Sequence, residues 1–459
     1  MDLPNQYVQN MQKLLGDEYP EFAASFSCDP AYGLRVNELK TGKDSISDYV
    51  EIELEKIPFV ENGFFYDHSE KISKSPFYRA GLFYLQESSA MLPADRLPIS
   101  EGDVVLDLCA APGGKSTAIL SKLLGTGFLL ANDLSFSRAQ SLLKNLELFG
   151  GSNYFVSAEA PKKLASIYPE FFDKILVDAP CSGEGMFRKD PSLIKDWTNK
   201  GPDYYSPLQR EILDNAVKML KCGGMLMYST CTFSTSEDEL NIKYILEKYP
   251  ELSLINIEKT DGMVPGFMGY KEAARVFPHK VRGEGHFLCL LAKSCKSKTS
   301  SALSVKRDEM ITSEFNVNKC NELIEFVKKI NLSPDNIYII KNNAYYLPNL
   351  YSRIYDKSIR FLRTGLLLGE VDNNMHFKPS TTLALSLRIH DFSNVLNLNR
   401  DDIRLEKYLR GETIFINEDD EGLEKGFVLI CVESFGLGFA KYTNNNTLKN
   451  LLTRGYINN

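Results

Sequence analysis

Residues 104–116 read VVLDLCAAPGGKS. A short aliphatic run gives way to a turn of small residues with two glycines, and the helically spaced KSTAILSKLL follows. Strand, tight turn and helix in that order open a βα unit whose turn lies at the carboxyl end of the strand. Cys109, Ala110, Ala111 and Pro112 leave little side-chain bulk there. Gly113 and Gly114 let the backbone approach a ligand closely, and Lys115 opens a helix whose first N–H groups are free. The spacing is not Gly-x-Gly-x-x-Gly, so it does not point to a dinucleotide. Lys115 reads equally well as a ligand contact and as a solvated lysine of the first turn.

The same rhythm continues down the chain. FLLAND, SRAQSLLKNLELFG, NYFVSA, KILVDAP, the helix SPLQREILDNAVKMLK, GMLMYSTCT, the helix SEDELNIKYILEKY and SLINIE alternate strand and helix, and GEGHFLCLLAK closes the block at Lys293. This alternation predicts a doubly wound α/β sheet with its ligands at the carboxyl ends of the strands. Asp133 ends the second strand, about 20 residues beyond the glycine turn, where a carboxylate can accept hydrogen bonds from ribose hydroxyls. Its other reading is an acid at a helix N-terminus ahead of Ser135.

Two cysteines sit at strand ends: Cys181 in DAPCSGEGMFRKDP and Cys231 in YSTCTFSTSEDE. A single cysteine after a strand is usually a small apolar filler, but two above one cleft suggest thiol chemistry. Asp178 ends the strand KILVD, three residues before Cys181, and puts an acid beside the thiol. Cys222, Cys289 and Cys295 lack such settings and read as structural. The acidic run SEDE, residues 236–239, reads as a helix N-terminal cap rather than a metal site. No cluster has metal-ligand spacing, and no metal is expected.

The chain has 459 residues, of which 43% are hydrophobic and 25% charged, with a formal charge of −7. Those proportions fit a globular protein of several domains and exclude a disordered or collagen-like one. The first 75 residues hold seven Lys/Arg against fourteen Asp/Glu, which accounts for the whole excess. An acidic total rules out a generic basic nucleic-acid coat, but a local basic site remains open. Nine cysteines without a CxxC pair read as reduced thiols. No apolar run is long enough to span a membrane and no signal-peptide core is seen, so a cytoplasmic location is expected.

Taken together, DLCAAPGGKS, DAPCSGEG and STCTFS resemble the RNA cytosine-C5 methyltransferases of the Sun/Nop2 family. The likeness extends upstream through GLRVN and GLFYLQESSAM, and downstream through RVFPHKVRGEGHF. LLLGEV, KPSTTLALSL, YLRGETI, GLGFAKY and TLKN resemble the extension of the bacterial small-subunit rRNA enzymes of that family, which ends in a PUA-like barrel. The resemblance implies a Rossmann-like S-adenosylmethionine-dependent methyltransferase sheet, an α+β N-terminal extension and a mixed, β-rich PUA-like C-terminal domain. On this reading residues 1–75 form the N-terminal extension, 76–295 the catalytic domain, 296–313 a linker, and 314–459 the RNA-binding region.

For the site, the resemblance implies that residues 109–115, Asp133 and Asp178 hold S-adenosylmethionine. It makes Cys231 the nucleophile, Asp178 the group that holds cytosine N3 and helps protonate it, and Cys181 the residue that assists release. The implied partner is small-subunit rRNA or the ribosomal subunit, with tRNA and a non-catalytic assembly role as alternatives. A monomer is expected. After the third strand, where relatives carry an acid or amide for the adenine, Ala158 and Ala160 stand here beside Glu159. Arg188, Lys189, Arg275, Lys280 and Arg282 are candidates for RNA contact. His279, His286, Trp197, Tyr204 and Tyr205 read as packing or loop residues as readily as functional ones.

Overall fold

The computed structural model describes residues 2–260, 262–295, 311, 313, 316–330, 332–347, 354–420, 422–443 and 445–457. The stretch read as a linker therefore lies outside the described residues, except for Ile311 and Ser313. At the N-terminus, β1 (Gly33–Val36), β2 (Glu55–Lys56), β3 (Gly63–Phe65) and β4 (Phe83–Leu85) form an antiparallel sheet in the order β2-β3-β1-β4. Leu34 pairs with Leu85, so this layer runs through residue 75 to the end of β4.

The central sheet is built from the strands read in the alternating block, together with two short strands at residues 264–265 and 274–276 that this reading did not contain. They are β5 (Val104–Asp107), β6 (Phe128–Asn132), β7 (Tyr154–Ser157), β8 (Phe172–Asp178), β9 (Leu220–Thr230), β10 (Leu252–Ile255), β11 (Val264–Pro265), β12 (Ala274–Val276) and β13 (His286–Lys293). Their order is β11-β12-β13-β9-β8-β5-β6-β7, with β10 against β13. From β9 to β7 the pairing is parallel, and the order reverses between β8 and β5. A crevice opens at such a reversal, at the carboxyl ends of the strands. Alternation puts Val105, Leu129, Leu176 and Met227 into one apolar layer and Leu106, Leu130, Ile175 and Leu226 into the other. A strand buried on both faces reads as a continuous apolar run, which is why this sheet is legible in the sequence.

The C-terminal third does not form a detached body. β16 (Phe361–Thr364) pairs antiparallel with β7 and becomes the last strand of the catalytic sheet. The neighbouring strands β14 (Ile337–Ile340), β15 (Asn343–Tyr346), β17 (Leu366–Val371) and β18 (Phe377–Pro379) make a four-stranded sheet beside it. The terminal strands β19 (Val395–Leu398), β20 (Ile414–Phe415), β21 (Gly426–Val432), β22 (Phe435–Tyr442) and β23 (Thr447–Asn450) form a five-stranded sheet. Its Leu396, Val428, Ile430 and Phe435 share one core with Leu34, Val36, Phe77 and Phe83 of the N-terminal layer. The two ends of the chain thus pack on each other.

Two expectations are corrected by the structure. The acids of residues 236–239 do not cap a helix. Asp238 occupies the N-cap position of the helix Glu239–Lys248, yet its side chain makes no capping bond. Instead Glu237, Asp238 and Glu239 turn fully inward. Glu237 accepts from the Ser182 N–H (2.9 Å), the Ser182 hydroxyl (2.5 Å) and Gln209 (2.8 Å). Glu239 pairs with buried Arg275. The second correction concerns thiols: Cys222 and Cys295 are joined, with Cα atoms 5.3 Å apart, so not all nine cysteines are free.

Candidate active site

The glycine turn and the ends of β8 and β9 converge at the crevice. Gly113, at φ +116°, caps the helix Gly114–Leu123 in the left-handed region that an L side chain rarely adopts. A Cβ at Gly114 would lie 2.7 Å from the amide nitrogen of Gln86, so a side chain there would have to displace that amide. Around this turn lies a cavity of about 330 Å³. Cys109, Ala110, Ala111, Pro112, Gly114, Lys115 and Asp178 line it on one side, and Tyr32, Tyr66, Tyr84 and Lys189 on the other.

Lys115 Nζ donates to Asp178 Oδ2 at 2.7 Å, while Ser229 donates to Oδ1 at 2.8 Å and His286 Nε2 stands 3.4 Å from it. Burial alone would raise the Asp178 carboxyl, but Lys115 and His286 outweigh it and hold Asp178 well below the usual carboxylate range. Lys115 responds in kind: burial would lower its ammonium, whereas Asp178 and, further off, Cys231 raise it. The solvated-lysine reading of Lys115 is therefore set aside.

Asp133 lies outside the cavity wall, at the far end of the same turn. It is 3% exposed and accepts from the Ala111 N–H (3.3 Å) and the Ser135 N–H (2.9 Å), with Arg138 at 3.5 Å. The helix N-terminal reading of Asp133 describes this geometry, and its carboxylate ties the next helix to the glycine turn.

The two thiols meet. Cys181 Sγ and Cys231 Sγ are 3.2 Å apart, although 50 residues separate them. Gly185 pins the second loop: its N–H donates to Cys231 O at 2.8 Å, and a Cβ there would lie 2.9 Å from that oxygen. The hydrogen bond to Cys231, followed by burial, pushes the Cys181 thiol well up. Burial likewise raises the Cys109 thiol. Among the described residues no group of three His, Cys, Asp or Glu side chains is arranged to hold a metal ion.

Family models match this architecture along the chain. They are described as the N-terminal domain of 16S rRNA methyltransferase RsmF (residues 3–88), 16S rRNA methyltransferase RsmB/F (94–292), the RsmF first C-terminal domain (325–387) and the RsmF PUA domain (395–458). A ribosomal RNA small subunit methyltransferase F from Erwinia tasmaniensis is 30% identical over 459 residues, covering 95% of this chain and 93% of its own. The chain belongs to the ribosomal RNA small subunit methyltransferase F family. A methyltransferase F from Vibrio parahaemolyticus is 28% identical and covers 98% of this chain and 97% of its own. Among solved structures, that of PH0851 superposes with a TM-score of 0.59 at 28% identity, covering 63% of this chain and 66% of that one. NSun6 from Pyrococcus horikoshii, solved with SFG, shares the fold at a TM-score of 0.58 and 23% identity, covering 64% of this chain and 98% of that one.

This methyltransferase F is an S-adenosylmethionine-dependent rRNA methyltransferase, and the site fits that cofactor. The turn is a side-chain-free cradle, and Asp107 beneath it keeps a buried Oδ1 without a hydrogen-bond partner. Glu159, the carboxylate near the place where relatives meet the adenine, is engaged within the protein. Its carboxylate takes the Arg360 N–H (2.8 Å) and Lys163 (2.6 Å), and the Ala158 N–H donates to Arg360 O.

Most of the basic candidates for RNA contact are otherwise engaged. Arg188 is bonded to Glu284 (2.9 Å), Ser25 O and Gly283 O, and Arg275 is buried among acids. Lys280 pairs with Glu18, and Arg282 pairs with Glu55 (2.5 Å) over the Phe65 ring. Only Lys189 of this set lines the cavity. His279 packs edge-on against Phe22, and Trp197 donates to Glu184 at 2.9 Å. Tyr205 donates to Asp196 at 2.6 Å and meets Tyr204 edge-on.

Sequence reasoning missed Tyr32, Tyr66, Tyr84, Gln86 and Glu87. The last three lie within GLFYLQESSAM, but an α+β extension gave no local sign that it faces the glycine turn. Glu87 caps the helix Ser88–Arg96 and also accepts from the Glu284 N–H (2.9 Å), tying that helix to the GEG loop.

Burial pushes the Asp107 carboxyl up to about 7, against the pull of Ser116, which donates to it at 2.6 Å, and of Lys115. A folded-state pKa above the ordinary value means that the native state binds the extra proton. Its contribution to stability is complete below the ordinary carboxylate range and is lost as pH rises through about 7. Glu237, likewise pushed up to about 7 by burial, behaves in the same way. The melting temperature of the ligand-free protein should therefore fall between about pH 4 and about pH 7 and level off above that. Calorimetry of Asp107→Asn should show a shallower fall, and an equal slope in the two proteins would contradict the assignment.

Proposed function

We propose that this methyltransferase F methylates carbon 5 of a cytidine in small-subunit rRNA through a covalent bond between Cys231 and C6. The observation that carries this reading is the pair of thiols 3.2 Å apart on the loops that follow β8 and β9, next to Asp178 and the cofactor turn.

Cytosine C5 is a poor nucleophile, and adding a thiolate to C6 divides one difficult step into easier ones. The Cys231–C6 bond forms as the C5=C6 electrons move toward C5. A thiolate is the attacking form, and Lys115, bonded to Asp178, is the cation on the same cavity wall. Asp178, kept ionised, is an acceptor for the cytosine amino group and for N3–H once N3 carries a proton. That narrows the role expected for it, since a carboxyl held so low is not a proton donor near neutral pH. When bound, S-adenosylmethionine supplies an electrophilic methyl group on a sulfonium to the activated C5.

Release then falls to Cys181. What keeps its thiol protonated is the hydrogen bond and charge of Cys231 together with burial. Once Cys231 is a thioether the first two are gone, so Cys181 can lose its proton to water and, as a thiolate, take the C5 proton. The C5–H electrons restore C5=C6, the C6–S bond breaks and the Cys231 thiolate returns.

Bisulfite sequencing of RNA from a strain lacking the protein tests this assignment. Loss of one small-subunit rRNA mark is expected. Loss of a tRNA mark instead would transfer the chemistry to that substrate, and no loss would leave only an RNA-binding role in assembly.

A further inference from the structure

The cavity wall contains one amide that the chemistry above does not use. Gln86 follows β4, and its Nε2 donates to Ala90 O at 3.0 Å. That bond fixes which way the amide points, because the carbonyl of Ala90 can only accept. On its other flank the amide lies against Gly114, in the space where any other residue would carry a Cβ. Gln86 Oε1 is left buried with no hydrogen-bond partner, in a side chain that lines the cavity. Asp107 Oδ1, also on the cavity wall, is the second buried oxygen without a partner there.

A buried acceptor left unpaired costs about 1–3 kcal/mol, so such atoms in a working site mark where a ligand brings a donor. Glu87 already receives two backbone N–H groups of its own helix, the Ser89 hydroxyl and the Glu284 N–H. Asp178 already receives Lys115 and Ser229. The free acceptors are thus Gln86 Oε1, packed on the glycine turn, and Asp107 Oδ1, on the strand leading into it. Two acceptors at the cofactor turn call for a cation with several N–H donors, and the amino-acid end of S-adenosylmethionine carries one.

We propose that Gln86 is a cofactor-binding residue that accepts a hydrogen bond from the α-ammonium of S-adenosylmethionine. The cofactor grip then extends beyond the central sheet: the segment joining the N-terminal layer to it closes over the methionine end. The inference rests on the methyltransferase reading of the cavity and specifies its polar contact.

Binding without turnover separates the outcomes. S-adenosylhomocysteine carries the ammonium, whereas 5′-methylthioadenosine lacks the whole amino-acid end. By titration calorimetry, Gln86→Leu should weaken S-adenosylhomocysteine by about 10- to 100-fold and leave 5′-methylthioadenosine unchanged, the range expected for a hydrogen bond to a charged group. Gln86→Glu, which keeps an acceptor and adds a charge, should restore the binding of S-adenosylhomocysteine. Equal loss for both ligands would reduce Gln86 to a packing residue. Unchanged binding of both, with a raised KM for RNA and poorer discrimination of cytidine from uridine, would assign the amide to the base and overturn the proposal. Failure of the wild-type protein to bind either ligand would count against the cofactor site itself.

Discussion

A Cys231→Ala variant will form no covalent adduct with RNA that carries 5-fluorocytidine at the target position, and its turnover will fall by about four orders of magnitude or more. Fluorine at C5 cannot leave as a proton, so the wild-type protein should stay attached after methyl transfer and migrate as a protein–RNA band that survives denaturation. Cys181→Ala should behave in the opposite way. It can still attack C6, but it lacks the thiol assigned to release, so an adduct should accumulate on ordinary cytidine RNA as well. The naïve alternative makes Cys181 the nucleophile because it follows Pro180, and it predicts that the two variants exchange behaviours. The sulfurs touch, so position alone does not separate them. The two variants do, because each assignment gives a different pattern of adducts. An adduct formed by Cys231→Ala would overturn the assignment, as would normal turnover by Cys181→Ala.

Arg275→Ala should destabilise the fold by about 3–5 kcal/mol, a large loss for a single substitution. The guanidinium is 1% exposed and meets Glu239 at 2.8 and 2.6 Å, Asp238 at 3.0 Å and Phe233 O at 3.0 Å. It is the counter-charge for carboxylates that are themselves 0% exposed. Burial pushes Asp238 well up even with the arginine present, so removing that cation strands acids that can neither ionise comfortably nor reach water. The loss should appear as a lower urea midpoint for the catalytic body, followed by tryptophan fluorescence, since Trp197 bonds to Glu184 close to this cluster. Adding Glu239→Gln should recover part of the loss by removing one stranded charge. A midpoint equal to that of the wild type would mean that the acids are neutralised without the arginine.

What could be read in the sequence depends on the reach of each signal. The glycine turn, Asp133, Asp178, Cys181 and Cys231 lie at strand ends, and a strand followed by small or polar residues can be recognised within about a dozen positions. A parallel sheet then brings those ends together, which is how Cys181 and Cys231 come to touch. The roles of Arg188, Arg275 and the acids at 237–239 escape a reading by spacing, because spacing does not say whether a charged side chain faces water or a partner. Tyr32, Tyr66 and Gln86 escape it because their importance lies in a docking of layers that no local pattern encodes. The pairing of Cys222 with Cys295 depends on neighbours 73 residues apart, with the same result.

The addition of β16 to β7 has a consequence for how this chain comes off the ribosome. Until residue 364 has been synthesised, β7 is the outermost strand of a nearly complete sheet, with its outward N–H and C=O groups unpaired. Such an edge is a template for pairing with another chain. A nascent chain ending near residue 292 would carry the whole catalytic motif set and still be prone to aggregate. The last third of the sequence therefore acts as a built-in edge guard, covering the outer side of β7 once it arrives.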